Sequence, residues 1–316
     1  MNLAVHNKIK VGIIGVGNLG MQYINRLQHN AYYEIIGYSD VNAHLNHYLE
    51  DEFALKNYDN AKRLFETCDA VIICTPNQSI MKYLHVGIKT GKHIFLGRPL
   101  IHEISELLYI EDLVREAGIK MQVSLADSFS PIFKKLKEII EEPVFVEMKR
   151  SITFETSKNN TQMIQESLLK DICLLLDITK GKVQKVRYSN VFKQMDFVQI
   201  RIEFDNGSAA HISINQISNT KSFSIQAYQS SKVITANLSN RRMNIVTQRD
   251  THLKLSETNF ELEEIDTISE ELNAFAESIL FNKDCSNSIT DFFKASELTY
   301  KILKSLEEKD KDILVS

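Results

Sequence analysis

The sequence predicts an α/β domain, built on a doubly wound parallel sheet, followed by an α+β domain with an open antiparallel sheet. Two observations support this. Up to about residue 125, short apolar runs alternate with helix-length amphipathic segments, as in a parallel sheet with helices on both faces. Over 183–265, short strand-like segments follow one another, and several alternate apolar and polar residues. We therefore predict domains at 1–125 and 126–316.

The composition is that of an ordinary globular protein and excludes several classes of partner. The 316 residues are 43% hydrophobic and 25% charged, which is enough for more than one domain. The formal net charge is −4, so no strong positive field attracts nucleic acid or an anionic membrane. The four cysteines include no C-x-x-C pair, and no metal site is expected.

The first apolar run, VGIIGVG, is interrupted by glycines, unlike the apolar region of a signal peptide. Apolar runs also stay well short of the roughly 18 residues that a membrane span needs. We therefore expect a cytoplasmic protein with a small-molecule substrate, and neither nucleic acid nor a membrane as a partner.

In the first domain, predicted strands and helices alternate. Continuous apolar runs such as AVIIC indicate strands buried on both faces of a sheet. Gly91 and Gly118 are placed to end two of the helices. The predicted strands are 9–14, 34–39, 70–74, 93–97 and 119–125, and the predicted helices are 18–28, 78–91 and 103–118.

In the second domain, a helix near 132–140, a strand at 144–152 and a helix near 161–176 precede the run of strands. Asp205-Asn206-Gly207-Ser208 is a hairpin signal between two of these strands. The last predicted helices are 269–281 and 291–306. The sequence leaves open whether the C-terminal helix packs on the second domain or back on the first.

A glycine motif marks the turn from the first strand to the first helix. In KVGIIGVGNLG, Gly15, Gly17 and Gly20 form a G-x-G-x-x-G fingerprint. The first glycine permits a tight turn, the second lets the backbone approach a pyrophosphate, and the third lets helix and strand pack closely. The first-turn amides, including those of Asn18 and Leu19, are placed for the phosphates. The motif predicts a dinucleotide-binding Rossmann domain; the alternative is a glycine-rich turn in a non-binding α/β domain.

An acidic residue ends the second strand, where the partner of the ribose is expected. Asp40 lies twenty residues after Gly20. Its carboxylate suits the ribose hydroxyls of NAD and repels the 2′-phosphate of NADP. Because no Arg or Lys follows Asp40 before Lys56, NAD is favoured over NADP.

Beyond this fingerprint, the chain resembles the Gfo/Idh/MocA family of sugar and inositol oxidoreductases over essentially its whole length. CDAVIICTPN is similar to the family's D-x-V-x-I-x-T-P-N strand, GKHIFLGRPL to its G-K-H-V-x-x-E-K-P-L segment, and LNAFAESILFNKD to a late helix. The resemblance implies that Thr75, Pro76 and Asn77 lie beside the nicotinamide. It also implies helices backing the second sheet, and a homodimer or homotetramer formed through that sheet.

The chain departs from the family at the positions that carry catalysis. The family's E-K-P, with its catalytic Lys, is replaced by Gly97-Arg98-Pro99, and the His after T-P-N by Ile80. The family's Asp and His, one helical turn apart, align with Glu166 and Lys170. No histidine occurs between residues 102 and 211, so the loss of that His does not depend on the alignment.

These departures limit the proton chemistry. Oxidising an alcohol requires a group that removes the hydroxyl proton, and a guanidinium does not deprotonate in proteins. Arg98 is therefore assigned to orienting a substrate and holding negative charge. Lys170 is the candidate base, with Glu166 one turn earlier. The alternatives are an exposed helix pair for Glu166 and Lys170, and a domain-bridging salt bridge for Arg98.

Three functions follow from this pattern. The first is an NAD(H)-dependent oxidoreductase that acts by hydride transfer on a sugar or sugar-derived substrate, with Arg98 binding an anionic group. The second is a catalytically inactive relative that binds a dinucleotide for sensing or structure. The third is a reductase that needs only hydride delivery, with water or a weak acid supplying the proton. Fold class alone does not choose among them.

Overall fold

The structure is a computed structural model. It describes residues 8–42, 46–153, 160–190, 197–248, 255–308 and 312–314. The chain forms two compact units. The first consists of Met1–Ala126 and Asp266–Phe293, and the second of Asp127–Ile265 and Lys294–Ser316. The predicted second domain, 126–316, therefore differs at residues 266–293, which return to the first unit.

The first unit contains a parallel five-stranded sheet in the order β2-β1-β3-β4-β5. Its strands carry apolar side chains on both faces; β3, for example, is buried along its whole length. The parallel α/β architecture predicted from the alternating pattern is confirmed. The strands are β1 (Ile9–Ile14), β2 (Tyr33–Ser39), β3 (Ala70–Ile73), β4 (His93–Leu96) and β5 (Met121–Val123).

Helices connect these strands, and two of them were not predicted. The short α3 begins where the Asn60 side chain accepts a hydrogen bond from the Lys62 N–H at 2.9 Å. Seven residues give too few turns for an apolar period to stand out in the sequence. The helices of this part of the chain are α1 (Asn18–Leu27), α2 (Asn46–Phe53), α3 (Ala61–Thr67), α4 (Asn77–Lys89) and α5 (Ile104–Ala117).

The second unit contains a nine-stranded sheet in the order β13-β12-β11-β10-β6-β9-β8-β7-β14. The sheet is mostly antiparallel, which confirms the predicted fold class, and β6 pairs with β9 in parallel. The strands are β6 (Phe145–Thr153), β7 (Val183–Asn190), β8 (Phe197–Phe204), β9 (Ala209–Ser218), β10 (Ser222–Tyr228), β11 (Lys232–Asn237), β12 (Arg242–Gln248), β13 (Leu255–Glu261) and β14 (Asp312–Leu314).

Burial alternates along β8 and β9, so this sheet has one buried face and one partly exposed polar face. The predicted hairpin joins these two strands. Gly207 has a φ of 81°, and the Phe204 N–H donates to the Ser208 carbonyl at 2.9 Å. The later helices are α6 (Pro131–Ile139), α7 (Asn160–Ile178), α8 (Thr267–Leu280) and α9 (Ile289–Glu308).

Helix α8 belongs to the first unit because its apolar side joins that unit's core. Leu272 and Phe275 are fully buried among residues of β1, β2 and α1. The Phe275 ring lies 5.5 Å from the Phe95 ring, and the Tyr33 hydroxyl donates to the Leu272 carbonyl at 2.7 Å. Within the described part of the chain, helices with the length and apolarity to cross a membrane are absent.

Candidate cofactor and substrate sites

The carboxyl ends of the parallel strands carry the residues predicted to bind the cofactor. Gly15 directly follows β1, Asp40 directly follows β2, and Thr75 and Arg98 come two residues after β3 and β4. Strand β1 lies between β2 and β3, so the order of the strands reverses beside it. Open α/β sheets bind ligands at such a switch point.

The three glycines at the turn from β1 into α1 (Gly15, Gly17 and Gly20), here called the glycine corner, have different surroundings. Gly15 has a φ of 87°, which a residue with a Cβ adopts only under strain. A Cβ on Gly20 would lie 2.2 Å from the Gly15 carbonyl oxygen, so only glycine lets helix and turn approach this closely. A Cβ on Gly17 would have no heavy atom of the described residues within 4 Å. The corner is therefore tight on its inner side and open beside Gly17.

Helix α1 presents main-chain amides at this opening. Its N-cap, Gly17, provides no side-chain cap, and the Met21 N–H donates to the Gly17 carbonyl at 3.0 Å. The amides of Asn18, Leu19 and Gly20 precede that bond and lie in the first turn, where an α-helix has no partners for them. With the positive end of the helix dipole, they suit a diphosphate.

The Asp40 carboxylate lies against the same corner. The Val16 N–H donates to its Oδ2 at 2.6 Å, and the Asn42 N–H to its Oδ1 at 2.7 Å. The Gly15 N–H donates to the Ser39 carbonyl at 2.9 Å, which holds the end of β2 beside the turn. A negative charge at this place accepts ribose hydroxyls and repels a 2′-phosphate. The open side of Gly17, the amides and this carboxylate fit a nicotinamide dinucleotide.

The segments after β3 and β4 lie side by side, since the Gly97 N–H donates to the Ile73 carbonyl at 2.9 Å. Thr75 is buried, and its hydroxyl oxygen has no hydrogen-bond partner among the described residues. Buried polar groups in folded proteins almost always have a hydrogen-bond partner, and a bound ligand would provide one for this hydroxyl. Pro76 is the N-cap of α4 and Asn77 its first residue, but the Asn77 side chain lies outside the described part of the structure.

Arg98 is half-buried close to the carboxyl end of β3. Burial raises the pKa of the Cys74 thiol to about 12, and the positive charge of Arg98 opposes that rise. Cys74 is therefore a neutral thiol rather than a nucleophile. The positive charge of Arg98 therefore lies, like Thr75, just beyond the carboxyl ends of the parallel strands.

Gly97, which stands where the family has Glu, has no room for a side chain. A Cβ there would lie 2.8 Å from the Cys74 sulfur and 3.0 Å from Cε2 of Tyr23. Both neighbours are buried in the core of the first unit. The change from E-K-P to Gly97-Arg98-Pro99 thus accompanies a core packing that excludes the family's Glu.

The other predicted catalytic residues lie on α7 in the second unit. Glu166 and Lys170 are both half-buried, and Gln162 Nε2 donates to Glu166 Oε1 at 2.9 Å. Asp177, two helical turns after Lys170, is exposed and paired with Lys137 at 2.6 Å. The side chains of Glu166 and Lys170 are therefore less exposed than those of a helix pair on an open surface would be.

Sequence reasoning missed a charged cluster beside these residues. Arg150 of β6 donates to Asp171 of α7 at 2.6 Å and to Asp127 at 2.9 Å, and its guanidinium lies 3.6 Å from the centre of the Phe223 ring. Asp171 is completely buried, and burial raises its pKa to about 6 although Arg150 opposes the rise. One signal was available: Asp171 is the single carboxylate within LLKDICLLL, an apolar run in which a charge requires a partner.

A second missed group lies in the first unit, at the end of β5. Glu271 of α8 is completely buried, and it accepts hydrogen bonds from the Leu125 N–H at 2.5 Å and the Ser124 hydroxyl at 3.0 Å. The Tyr23 hydroxyl donates to Ser124 Oγ at 3.1 Å, and Gln122 Nε2 to the Glu271 carbonyl at 3.2 Å. The sequence gives no local signal for this group, because its members are up to 248 residues apart.

The sheet order and the glycine corner are those of a dinucleotide-binding Rossmann domain. Residues 9–125 match the model of the Gfo/Idh/MocA family, an oxidoreductase family with an NAD-binding Rossmann fold. This part of the chain is therefore similar to the NAD-binding Rossmann domain of the Gfo/Idh/MocA family, which agrees with the resemblance of its motifs.

Individual relatives match part of the chain. The uncharacterized oxidoreductase YrbE of Bacillus subtilis is 27% identical over 143 residues, which are 42% of this chain and 40% of that protein. A myo-inositol 2-dehydrogenase of Thermotoga maritima is 24% identical over 136 residues, 42% of this chain and 41% of that protein. The chain thus spans about 40% of the length of these curated relatives.

The fold extends the similarity beyond this domain. A UDP-N-acetylglucosamine 3-dehydrogenase structure from Acidithiobacillus ferrooxidans aligns with a TM-score of 0.86 over 94% of this chain and 96% of that chain, at 17% identity. At this identity the similarity concerns the fold. It agrees with the predicted combination of a Rossmann domain and a second, mostly antiparallel sheet with helices.

Proposed function

We propose that this chain is an NAD(H)-dependent oxidoreductase that acts on a hydroxyl group of a sugar or sugar-derived substrate by hydride transfer. The observation that carries the proposal is the glycine corner, open beside Gly17 and bounded by the Asp40 carboxylate. The match of residues 9–125 to the model of an oxidoreductase family supports the oxidoreductase class. The substrate class is supported by the names of similar proteins, which are an inositol dehydrogenase and a sugar-nucleotide dehydrogenase.

The roles of the chain's own residues follow from their chemistry. The amides of the first turn of α1 hold the diphosphate, and Asp40 accepts the ribose hydroxyls, which favours NAD over NADP. We assign the edge with Thr75, Pro76 and Asn77 to the nicotinamide end. When bound, NAD supplies the acceptor for the hydride that leaves the substrate carbon.

The hydroxyl proton needs a separate acceptor. Arg98 cannot take it, because its guanidinium stays protonated, so we assign Arg98 to orienting the substrate and binding an anionic group such as a phosphate or carboxylate. Lys170 is assigned as the base that takes the proton, and Glu166 as its neighbour on α7. The released proton thus goes to an amine and the hydride to the nicotinamide, which balances the oxidation.

A second candidate function is a catalytically inactive relative that binds the dinucleotide for sensing or structure. Two observations favour it. Arg98 stands where the family has its catalytic Lys, and the absence of histidine between residues 102 and 211 removes the family's second proton carrier. A reductase that needs only hydride delivery is the third candidate.

Kinetics of three proteins distinguish these candidates: the parent, Arg98→Lys and Lys170→Met. If Lys170 is the base, Lys170→Met abolishes NADH formation across a panel of sugars and Arg98→Lys does not raise it. If Lys170 is not the base, Arg98→Lys raises activity by restoring the family's residue. The proposal fails if all three proteins are inert in both reaction directions while NADH still binds, which is the behaviour of the non-catalytic relative.

The remaining expectations stay proposals. We propose a homodimer or homotetramer formed through the partly exposed polar face of the second unit's sheet. Sedimentation equilibrium tests this directly, since a monomer at micromolar concentration contradicts it. The cytoplasmic location likewise stays a prediction from the sequence.

A further inference from the structure

Glu271 of α8 is a buried carboxylate of the first unit that has no role in the proposed chemistry. It is completely buried, and its Oε1 accepts a hydrogen bond from the Leu125 N–H at 2.5 Å. Its Oε2 accepts from the Ser124 hydroxyl at 3.0 Å. A carboxylate is costly to bury unless hydrogen bonds replace its contacts with water, and these two donors provide them. Both donors directly follow β5, at the edge of the sheet that carries the cofactor site.

Ser124 extends this contact to Tyr23. The Tyr23 hydroxyl donates to Ser124 Oγ at 3.1 Å, and the Ser124 hydroxyl donates in turn to Glu271. Because a carboxylate only accepts and a serine hydroxyl has one proton, Glu271 sets the direction of both bonds. Burial raises the pKa of the Tyr23 phenol, and the charge of Glu271 raises it further, so the phenol stays protonated as a donor. Tyr23, Ser124 and Glu271 are here called the β5–α8 network.

The network contacts the segment before Arg98 at two points. The Ser124 N–H donates to the Leu96 carbonyl at 2.8 Å. A Cβ on Gly97 would lie 3.0 Å from Cε2 of Tyr23, so the Tyr23 ring lies directly against Gly97. Arg98 is the next residue and is half-buried. The network therefore holds the main chain from which the Arg98 side chain leaves the sheet.

Aromatic packing holds the Tyr23 ring independently of its hydroxyl. The ring meets Phe95 edge-on, with 5.4 Å between the ring centres, and Phe95 lies 5.5 Å from Phe275, one turn after Glu271 on α8. Such pairs add stability beyond the area they bury. Removing the Tyr23 hydroxyl alone therefore leaves the ring in place, which separates the hydrogen bond from the packing.

Attachment of α8 to β5 is the purely structural alternative. The bond from the Leu125 N–H to Glu271, and the bond from Gln122 Nε2 to the Glu271 carbonyl at 3.2 Å, already provide that attachment. The bonds through Ser124 and Tyr23 are not needed for it. They lead instead to the segment that follows β4.

We propose that Glu271 is a positioning residue for Arg98 and acts through Ser124 and Tyr23. The carboxylate orients the two hydroxyls, and their residues hold the main chain that precedes Arg98. The inference rests on the proposed function only in taking Arg98 to bind the substrate. It deepens that function, because the placement of Arg98 then depends on a residue of α8 that lies outside the motifs of the cofactor site.

The first test measures the surroundings of Arg98 without a substrate. In the full chain with isotope-labelled arginine, NMR records the Arg98 Nε–Hε signal, which is assigned by its absence from Arg98→Lys. Tyr23→Phe removes one hydroxyl and Ser124→Ala removes the link, and both should shift this signal. The matched control is Glu270→Gln, at the neighbouring exposed position of α8, which should leave the signal unchanged.

Glu271→Gln has a more specific expected effect. Its amide oxygen can still accept from the Leu125 N–H, but its NH2 group then donates to Ser124 Oγ. The Ser124 hydroxyl turns to Tyr23, whose own O–H loses its acceptor. Glu271→Gln should therefore move the Arg98 signal as Tyr23→Phe does. Thermal melts establish that each variant is folded, and Tyr23→Phe and Ser124→Ala decide the question if Glu271→Gln is not.

The second test is kinetic and separates positioning from structural support. With a sugar that the parent oxidises, each network variant should lower kcat/KM by about two- to twelvefold, the effect of one lost hydrogen bond, and Glu270→Gln should not. Combined with Arg98→Met, the network variants should have no further effect, because the residue that they position is gone. Structural support alone would lower kcat/KM equally on both backgrounds.

Two results would overturn the inference. One is an Arg98 signal that is the same in the parent, Tyr23→Phe and Ser124→Ala, and the other is an equal loss of kcat/KM with and without Arg98. The proposed function fails separately. If the Arg98 signal shifts but the parent oxidises no sugar, the positioning role stands and the oxidoreductase does not. If a sugar is oxidised and the variants change neither the signal nor kcat/KM, the oxidoreductase stands and the positioning role does not.

Discussion

The Asp40 carboxylate accepts a hydrogen bond from the Val16 amide at 2.6 Å, which joins the end of β2 to the glycine corner. A second contact, from the Asn42 N–H, holds the other carboxylate oxygen. A carboxylate offers about four lone-pair sites, so two contacts leave it able to accept from the ribose. The orientation of the carboxylate is therefore fixed by main-chain contacts of the protein itself.

We expect Asp40→Ala to weaken NADH binding and to reduce the preference over NADPH. A hydrogen bond to a charged group contributes about 1.5–3 kcal/mol, so the Kd for NADH should rise by roughly 10- to 150-fold. Nicotinamide fluorescence measures both cofactors directly, because the chain has no Trp. Asp59→Ala, at an exposed position, is the control. Equal effects on NADH and NADPH would contradict the assigned role of Asp40.

The surroundings of Gly17 and Gly20 predict that alanine at these two positions has different effects on cofactor affinity and thermal stability. A Cβ on Gly17 meets no described atom, so Gly17→Ala should keep the parent's thermal stability and lose cofactor affinity by at least about tenfold. A Cβ on Gly20 would lie 2.2 Å from the Gly15 carbonyl oxygen, so Gly20→Ala should lower the melting temperature as well. Thermal melts and NADH titration measure both. Unchanged NADH affinity in Gly17→Ala would show that the diphosphate does not pass this point.

The packing around Gly97 predicts a rescue by a second substitution. Gly97→Ala forces a Cβ against the Cys74 sulfur and should destabilise the protein by about 1–3 kcal/mol, the usual effect of overpacking a core. Adding Cys74→Ala removes the sulfur that the new Cβ would contact. The double variant should therefore be more stable than the sum of the two single changes in unfolding free energy predicts. A double-mutant cycle from urea denaturation measures the coupling. Strict additivity would contradict the proposed contact.

The buried pair of Arg150 and Asp171 predicts an asymmetry between single and double variants. Arg150→Met leaves a completely buried carboxylate without its main partner, which typically costs about 3–5 kcal/mol. Adding Asp171→Leu removes that carboxylate, so the double variant should be more stable than Arg150→Met. Urea unfolding of the parent and the variants provides the comparison. A double variant less stable than Arg150→Met would contradict this account.

The same pair makes the effect of Arg150→Met depend on pH. Burial already raises the pKa of Asp171 to about 6, and losing Arg150 removes the charge that opposes this rise. The folded state then binds a proton that the unfolded state, with a pKa near 3.9, has released. Stability is lost as the pH rises through that window, so Arg150→Met should be less destabilised at pH 5 than at pH 8. A destabilisation that is the same at both pH values would contradict it.

His93 predicts a pH effect of opposite sign. Burial lowers its pKa, and its Nδ1 accepts a hydrogen bond from the Lys120 N–H at 2.9 Å, which requires the neutral ring. The contribution to stability is present above the unfolded pKa of about 6.5 and is lost as the pH falls through the lowered folded pKa. Asn at this position accepts the same bond without titrating. His93→Asn should therefore lose less melting temperature than the parent between pH 7.5 and pH 5, whereas the exposed His29→Asn should behave like the parent.

Most of the elements, and the turn that carries the candidate cofactor site, were predictable from the sequence because their signals are local. Apolar periodicity predicted β1 to β5, α7, β6 and β8 to β12, and the spacing from Gly15 to Gly20 predicted the turn before α1. Each of these signals lies within a few residues along the chain. The seven-residue helix α3 was missed because it is too short for a periodic pattern.

The sequence by itself determined the Rossmann domain, its glycine corner and the position of Asp40 at the end of β2. Only the tertiary structure decided which groups meet across long separations. It placed α8 in the core of the first unit, paired β6 with β9 in parallel, closed the space at Gly97 with Tyr23, and joined Arg150 to Asp171. The physical reason is that burial and ion pairing depend on the three-dimensional neighbours of a residue, which local periodicity and turn chemistry do not specify.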